Sequence, residues 1–146
     1  MIISASEDIG NANPTALVMA NNTFTAVAAV GYPEARIILS QCAVYLATSP
    51  KSNASYLAIN KAQETIRQTG DLSVPLSIRN APTKLMKELG YGDKYQYAHD
   101  YKNSFVAHEF LPDELSGTAF YKPGDNPKEN NYRKYLKSLW KDKYKY

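Results

Sequence analysis

Side chains with catalytic or metal-binding chemistry are scarce in this sequence. Its two histidines are His99 and His108, and neither belongs to an H-x-x-x-H or H-E-x-x-H motif of the kind that holds zinc. The single cysteine, Cys42, falls beside Leu39 and Leu46 on an apolar helix face, without the cationic neighbour that a nucleophile needs. We therefore predict no catalytic residue and no metal ligand in this chain.

Nucleotide-binding chemistry is also missing. The phosphate-binding motif G-x-x-x-x-G-K-[ST] does not occur, and no glycine is followed by lysine anywhere in the chain. The acidic pairs Glu7-Asp8 and Asp113-Glu114 are adjacent in sequence, so their side chains point in different directions and are better interpreted as capping or solvated groups. We predict that the chain alone is not an ATPase and binds no cofactor.

Lysines near the C-terminus form the one pattern that favours a charged partner. Residues 128–146 hold seven basic and two acidic side chains in a chain whose net charge is +3. At 100° per residue, four lysines share the side of the predicted final helix opposite its tyrosine, leucine and tryptophan residues: Lys134, Lys137, Lys141 and Lys145. Such a strip is typical of phosphate-backbone binding, and equally of a solvated outer face. These four are the candidate DNA-binding residues.

Tyrosines form a second cluster, made of Tyr91, Tyr95, Tyr97 and Tyr101. Tyrosine is enriched both at protein interfaces and in ligand pockets. Both interpretations stay open from the sequence.

The elements that position these residues are mainly helical in the first half of the chain. Apolar residues at steps of three and four predict a helix from Asn13-Pro14 to Gly31 and a second from Pro33 to Ser49-Pro50. A third begins at Ser52 or Asn53, carries Tyr56, Ile59, Ala62 and Ile66 as its apolar stripe, and ends at Gly70. The short connections predict antiparallel neighbours.

The second half is less regular. We predict an extended segment over residues 71–79, a short helix over residues 82–90, and an irregular stretch over residues 91–123 with a β-ribbon around residues 105–110. An amphipathic helix begins near Pro127. The fold class is thus mainly α, an antiparallel helical bundle with a long irregular segment. Residues 1–146 form a single domain, with a helical half (1–70) and a loop-rich half (71–146).

The composition indicates which cellular compartment the chain occupies. One cysteine allows no intramolecular disulfide, which is typical of a reducing environment. The longest apolar stretch, residues 25–31, is far shorter than the roughly 20 residues of a membrane helix. The first residues lack the basic start of a signal peptide. We predict a cytoplasmic chain with no membrane partner.

Four strings resemble a known family. They are residues 6–14 (SEDIGNANP), 47–54 (ATSPKSNA), 74–92 (VPLSIRNAPTKLMKELGYG) and 97–100 (YAHD). In this order they resemble the C-terminal domain of the replication-associated recombination protein A family (RarA, also called MgsA), bacterial relatives of Werner-helicase-interacting protein. The family-motif residues, whose role is unknown, are Glu7, Asp8, Asn11, Lys51, Asn53, Arg79, Asn80, Lys84, His99 and Asp100.

The resemblance implies a piece of a larger AAA+ ATPase. It implies a clamp-loader-like helical collar that assembles a homotetramer, with ATP and Mg bound by an upstream domain. It further implies action on DNA at stalled replication forks, nucleoid association, and single-stranded DNA-binding protein and the replication machinery as partners. The start Met1-Ile2-Ile3 resembles the cut end of an apolar element.

Three hypotheses follow. The first is a non-catalytic oligomerisation domain of a RarA-like ATPase. The second is a DNA-contacting module that uses the basic face of the last helix. The third is a small enzyme centred on His99 and Asp100, which requires a pocket lined by both side chains.

Overall fold

The computed structural model describes residues 1–146 and contains helices without any strand. The helices are α1 (Ile2–Ser4), α2 (Thr15–Val30), α3 (Ala35–Thr48), α4 (Ala54–Thr69), α5 (Lys84–Glu88) and α6 (Pro127–Trp140). A π-helical turn (Ala5–Ile9) and a 3₁₀ turn (Gly10–Ala12) join α1 to α2, and further 3₁₀ turns lie at Leu76–Ile78, Ala98–Asp100, Lys102–Ser104 and Asp113–Leu115. The mainly α fold class is confirmed. The wider antiparallel bundle stays a prediction.

The predicted β-ribbon around residues 105–110 is wrong, since no strand forms there and the backbone N–H groups of Phe110 and Leu111 donate to the Glu109 carboxylate. Side-chain contacts hold the remaining residues. Phe105 packs edge-to-face on Trp140, with ring centroids 4.9 Å apart. The Ser77 hydroxyl lies 2.9 Å from Nε2 of His108.

The chain divides into two compact units. Unit 1 comprises residues 1–63 and 120–135, and unit 2 comprises residues 64–119 and 136–146. Helices α4 and α6 each contribute residues to both units.

Small side chains build the core of unit 1. Helix α2 packs on α3 and on the π-helical turn. The buried cluster contains three alanines among its six members: Ala5, Ile9, Ala16, Ala20, Cys42 and Leu46. Alanine lets two helix backbones approach closely, so the seam between α2 and α3 is built from Ala16, Ala20 and Cys42 with one large residue, Leu46. The predicted packing role of Cys42 and Leu46 is confirmed by their burial.

Several large apolar residues that we expected in the core are exposed instead. On α2, Phe24 is 69% exposed, while Ala16, Ala20 and Thr23 on the adjoining face are buried. The apolar stripe of α4 is also exposed at Tyr56, Ile59 and Ile66. Periodicity located the apolar faces, but the contact with α3 uses the small residues beside Phe24. Unit 1 therefore exposes the large side chains that a self-contained domain would bury.

Polar side chains at the helix ends hold the connections of unit 1. Just before α2, the Asn13 side-chain amide donates to the Tyr45 hydroxyl and to Ser49 Oγ, both at 3.0 Å. Ser52 does cap α4, since its hydroxyl accepts from the Ala54 N–H at 3.3 Å. These bonds fix where each helix begins relative to its neighbour in sequence.

Unit 2 contains no fully buried apolar side chain. Aromatic contacts replace a core: Trp140 meets Phe105 and also Tyr144, with ring centroids 4.8 Å apart in the latter pair. Helix α6 ends at Trp140, and Lys141 then adopts φ 52°. The chain therefore turns away from the helix axis, and the tail follows Tyr144 rather than a further helical turn.

Candidate functional site

The first two family strings meet in unit 1. The Asp8 carbonyl accepts a hydrogen bond from the Ser52 N–H at 2.7 Å. Gly10 adopts φ 50°, and a Cβ placed there would lie 2.6 Å from the Ser52 carbonyl oxygen. Asn11 donates from Nδ2 to the Ser55 hydroxyl at 3.0 Å. The role of Asn11 and of the Asp8 backbone is therefore to fix one chain crossing.

Charged members of these strings lie around the same crossing. The Asp8 carboxylate accepts from the Ser4 hydroxyl at 2.7 Å. Lys51 Nζ donates to the Leu46 carbonyl at 2.7 Å, which places a cation at the C-terminus of α3. Glu7 and Asn53 are exposed. Asp8, Lys51, Ser52 and Asn53 line an open depression of about 500 Å³ at the crossing.

A buried carboxylate, Glu129, organises the start of α6. It is 0% exposed and accepts from the Tyr121 hydroxyl at 2.6 Å and from Asn126 Nδ2 at 2.5 Å, while its own N–H donates to Asn126 Oδ1 at 3.0 Å. Burial would raise the pKa of Glu129, but hydrogen bonds from Ser52, Tyr121, Asn126 and the Gly124 N–H outweigh it and lower the pKa. The ionised form is thus held at neutral pH, and Ser52 links it to the chain crossing.

The third family string folds on itself in unit 2. Arg79 donates from Nε to the Val74 carbonyl at 2.6 Å, and its guanidinium lies 5.0 Å from the Tyr91 ring centroid. Asn80 and Lys84 are exposed, and the Lys84–Glu88 ion pair at 3.9 Å lies in solvent, where it stabilises little. Arg79 thus pins the ends of this string together.

His99 and Asp100 lie exposed on the 3₁₀ turn Ala98–Asp100. The His99 ring centroid is 5.1 Å from that of Tyr97. An enzyme centred on these two residues requires an enclosed pocket, and the open position of both side chains does not provide one. The structure disfavours that third hypothesis.

A second carboxylate, Glu109, organises the tail of unit 2. It accepts hydrogen bonds from the N–H groups of Phe110, Leu111 and Gly117 and the hydroxyls of Ser116 and Tyr144, and it lies 3.2 Å from Lys143 Nζ. Burial would raise the pKa of Glu109, but these donors lower it to about 2. Burial and the charge of Glu109 raise the pKa of Tyr144 to about 12. Glu109 therefore ties the end of the chain to residues 109–117.

The four candidate DNA-binding lysines are exposed, but they do not share one helix. Lys134 and Lys137 lie on α6, whereas Lys141 and Lys145 follow its end. Both of the latter have positive φ, 52° and 54°, so the predicted helical strip of four is wrong in its geometry. The contacts of Tyr144 with Trp140 and Glu109 draw the tail out of the helical path. Their DNA-binding role stays a prediction.

Concave surfaces occur in both units. In unit 1, an apolar groove of about 490 Å³ is lined mainly by residues of α1 and α2: Met1, Ile2, Ile3, Ala20, Thr23, Phe24, Val27 and Leu39. In unit 2, a more polar cleft of about 560 Å³ lies between residues 71–79 and 112–114. Neither contains a histidine or a cysteine. No group of three potential metal ligands occurs in the structure, and no helix is both long and apolar enough to cross a membrane.

Sequence reasoning missed both carboxylate centres. Glu129 had a detectable signal, because Asn126 followed three residues later by Glu129 is the spacing of a helix N-terminal capping box. Glu109 had none, since its donors come from Leu111, Gly117 and Lys143, which no local pattern joins. Both residues position the chain through these hydrogen bonds.

Comparisons with known proteins agree over most of the chain. The family model described as MgsA AAA+ ATPase C terminal matches residues 1–140. Replication-associated recombination protein A of Coxiella burnetii is 48% identical over 120 residues, which cover 82% of this chain and 27% of that protein. The protein of the same name in Escherichia coli K12 is 47% identical over 120 residues, with the same coverage. ATPase WRNIP1 of Dictyostelium discoideum is 41% identical over 122 residues, covering 83% of this chain and 14% of that protein. The chain thus spans less than a third of these relatives.

Proposed function

This chain belongs to the MgsA AAA+ ATPase C-terminal family, and we propose that it is the non-catalytic assembly domain of an ATPase acting in replication-associated recombination. In this proposal ATP and Mg are bound upstream, and the chain joins copies of itself into a homotetramer. The joined ATPase modules then act together on DNA at stalled forks, beside single-stranded DNA-binding protein and the replication machinery.

The observation that carries the proposal is the placement of large and small apolar residues in unit 1. Alanines and Cys42 make up most of the core, which also contains Ile9 and Leu46, while Phe24 is 69% and Ile59 is 54% exposed. Exposed apolar side chains occur singly on most monomers, but here they recur on each long helix: Leu17, Val18, Phe24 and Val30 on α2, Ile37 and Val44 on α3, and Tyr56, Leu57 and Ile59 on α4. Such surface is typical of subunit interfaces.

A second copy of the chain is the partner that fits this surface. The groove beside Phe24 is open and apolar, so a large apolar side chain from another copy would lose water there without leaving a charge unpaired. No lysine or carboxylate lines the groove. An isologous contact of this kind closes on itself and gives oligomers of defined size.

Light scattering on the purified chain at tens of micromolar tests the proposal. We expect a mass above that of one chain, and a monomer for the double variant Phe24→Glu/Ile59→Glu, because each substitution puts a charge into apolar surface. The control Asn22→Glu/Asn60→Glu adds the same charges at exposed polar positions on the same helices. A monomeric wild type, or an oligomer that tolerates the apolar double variant, overturns the proposal.

Contact with DNA through the C-terminal lysines is a second candidate. It is favoured by the exposure of Lys134, Lys137, Lys141 and Lys145, none of which forms an ion pair. Replacing all four by glutamate should weaken binding to single-stranded or gapped DNA, and the wild-type affinity should fall steeply with salt. Unchanged affinity in the glutamate variant would dismiss this candidate.

A further inference from the structure

Residues 94–102 of unit 2 combine exposed aromatic rings with lysines. Tyr95, Tyr97 and Tyr101 are 58%, 55% and 44% exposed. Lys94 directly precedes the first of them, and Lys102 directly follows the last. Both lysines are exposed and neither forms an ion pair. The segment therefore offers accessible ring surface with an unpaired cation at each end, beside the exposed carboxylates of Asp93 and Asp100.

The backbone holds these rings close together. Tyr97 is extended (φ −75°, ψ 110°), and two residues of extended chain span at most about 7 Å, which limits the distance between the Cα atoms of Tyr95 and Tyr97. The 3₁₀ turn Ala98–Asp100 then reverses the chain. Gln96 Nε2 donates to the Tyr101 hydroxyl at 3.1 Å, which returns Tyr101 to the residues before the turn. The arrangement is compact without closing over the rings.

Tyr91, the fourth tyrosine of the cluster, has a structural role that the other three lack. Tyr91 is half-buried, its ring is covered by the Arg79 guanidinium, and its hydroxyl accepts from Arg79 at 3.2 Å. No cation or ring lies over Tyr95 or Tyr101, and Tyr97 meets only the exposed ring of His99. These three rings are therefore free to stack with a ligand.

We propose that residues 94–102 form a binding surface for single-stranded nucleic acid. Unpaired bases stack on the rings of Tyr95, Tyr97 and Tyr101, and Lys94 and Lys102 neutralise the flanking phosphates. Stacking of this kind tolerates any sequence, because every base has an aromatic face.

The lysines favour nucleic acid over a protein partner. Tyrosine is enriched in both kinds of interface, but lysine is depleted from protein interfaces and is common where phosphates bind. The exposed ring faces favour single strands over duplex, because the bases of a duplex are stacked on each other and present only their edges. This surface lies apart in sequence from the C-terminal lysines, and it does not depend on the apolar helices of the assembly proposal.

Fluorescence anisotropy with a labelled oligothymidylate of about 16 nucleotides tests the surface on the 146-residue chain. We expect Tyr95→Ala/Tyr97→Ala to bind at least about tenfold more weakly. The conservative pair Tyr95→Phe/Tyr97→Phe should keep nearly full affinity, because the rings remain. Lys94→Gln/Lys102→Gln should reduce the slope of log affinity against log salt by about 0.7 per lysine. Phe110→Ala is the matched control, since Phe110 is 52% exposed in the same unit but lies outside the segment.

Each outcome decides the proposal. Loss in the alanine pair with retention in the phenylalanine pair and in Phe110→Ala supports it. Absence of oligothymidylate binding by the wild type, equal loss in the control, or unchanged affinity in the alanine pair overturns it. A changed oligomeric mass with unchanged affinity in the alanine pair also overturns it and assigns the tyrosines to a protein interface. Light scattering on the same samples keeps this result separate from the assembly proposal, which can fail alone.

Discussion

Replacing Glu129 by glutamine removes a buried charge while keeping the shape of the side chain. In the wild type, Oε1 accepts from the Tyr121 hydroxyl at 2.6 Å and Oε2 accepts from Asn126 Nδ2 at 2.5 Å. Glutamine retains one acceptor oxygen and turns the other into a donor that faces another donor. The Tyr121 hydroxyl can rotate to accept, but the charge-assisted bond on that side is lost.

The magnitude follows from these contacts. A hydrogen bond to a charged group stabilises by about 1.5–3 kcal/mol, and a buried donor left without a partner costs about 1–3 kcal/mol more. Glutamine also avoids the cost of burying a carboxylate, which offsets part of this loss. We expect Glu129→Gln to lower the free energy of unfolding by about 2–3 kcal/mol. For a chain of this length that is a fall in Tm of roughly 5–10 °C.

Thermal and urea unfolding followed by circular dichroism measure the effect, and Glu114→Gln is the control because Glu114 is exposed. The pKa of Glu129 is lowered in the folded state, so its stabilisation is present above the ordinary carboxylate pKa and is lost as pH falls through the lowered one. The difference between wild type and Glu129→Gln should therefore shrink in acid. A Tm within about 1 °C of the wild type at neutral pH would refute the reasoning, since it corresponds to less than about 0.5 kcal/mol.

Three further substitutions test other contacts. Gly10→Ala should cost about 3 kcal/mol or more in urea unfolding, because φ is 50° and the new Cβ meets the Ser52 carbonyl at 2.6 Å, whereas Gly117→Ala, with open space around it, should cost about 1 kcal/mol. Glu109→Gln should release the tail and raise amide hydrogen exchange at residues 141–146. Because the pKa of Glu109 is about 2, the wild type should lose this protection as pH falls from about 4.5 towards 2. Equal exchange in both proteins at neutral pH would contradict the prediction. Arg79→Lys should destabilise by about 1 kcal/mol in thermal unfolding, because an ammonium cannot both cover the Tyr91 ring and bond the Val74 carbonyl as a planar guanidinium does; full stability in the lysine variant would count against the role given to Arg79.

Local signals in the sequence predicted the helices well. Pro and Gly mark the ends of α2 and α3, and the predicted limits at Gly31 and Ser49 coincide with the residues that follow these helices. The helix after Pro127 begins where proline can take the first helical position. Such signals act over a few residues, so a single sequence carries them in full.

Contacts between distant residues could not be predicted in the same way. The end of α6 at Trp140 depends on Tyr144 meeting Glu109, 35 residues away in sequence. Phe105 likewise packs on Trp140, which is distant in sequence. The exposure of Phe24 depends on which face of α2 meets α3, and hydrophobicity alone favours the larger residue.

The candidate surfaces, too, could be predicted only in part from the sequence. Composition located the Lys and Tyr clusters, since exposed charge and aromatic residues are visible in a sequence. It did not separate Tyr91, which is held by Arg79, from Tyr95, which is open. That distinction needs the fold around each ring.

The buried and exposed faces of helix α2 differ in the substitutions that they tolerate. Ala16 and Ala20 face a seam where a valine would add methyl groups that have nowhere to go, which typically costs about 1–3 kcal/mol. Val18 and Phe24 face outward, so exchange for another residue there changes what the helix meets and leaves the seam intact. Mutation can therefore alter the outward side of α2 over generations while the small residues keep the monomer unchanged. Related chains can therefore differ in the partner surface that α2 contacts while they keep the same packing between α2 and α3.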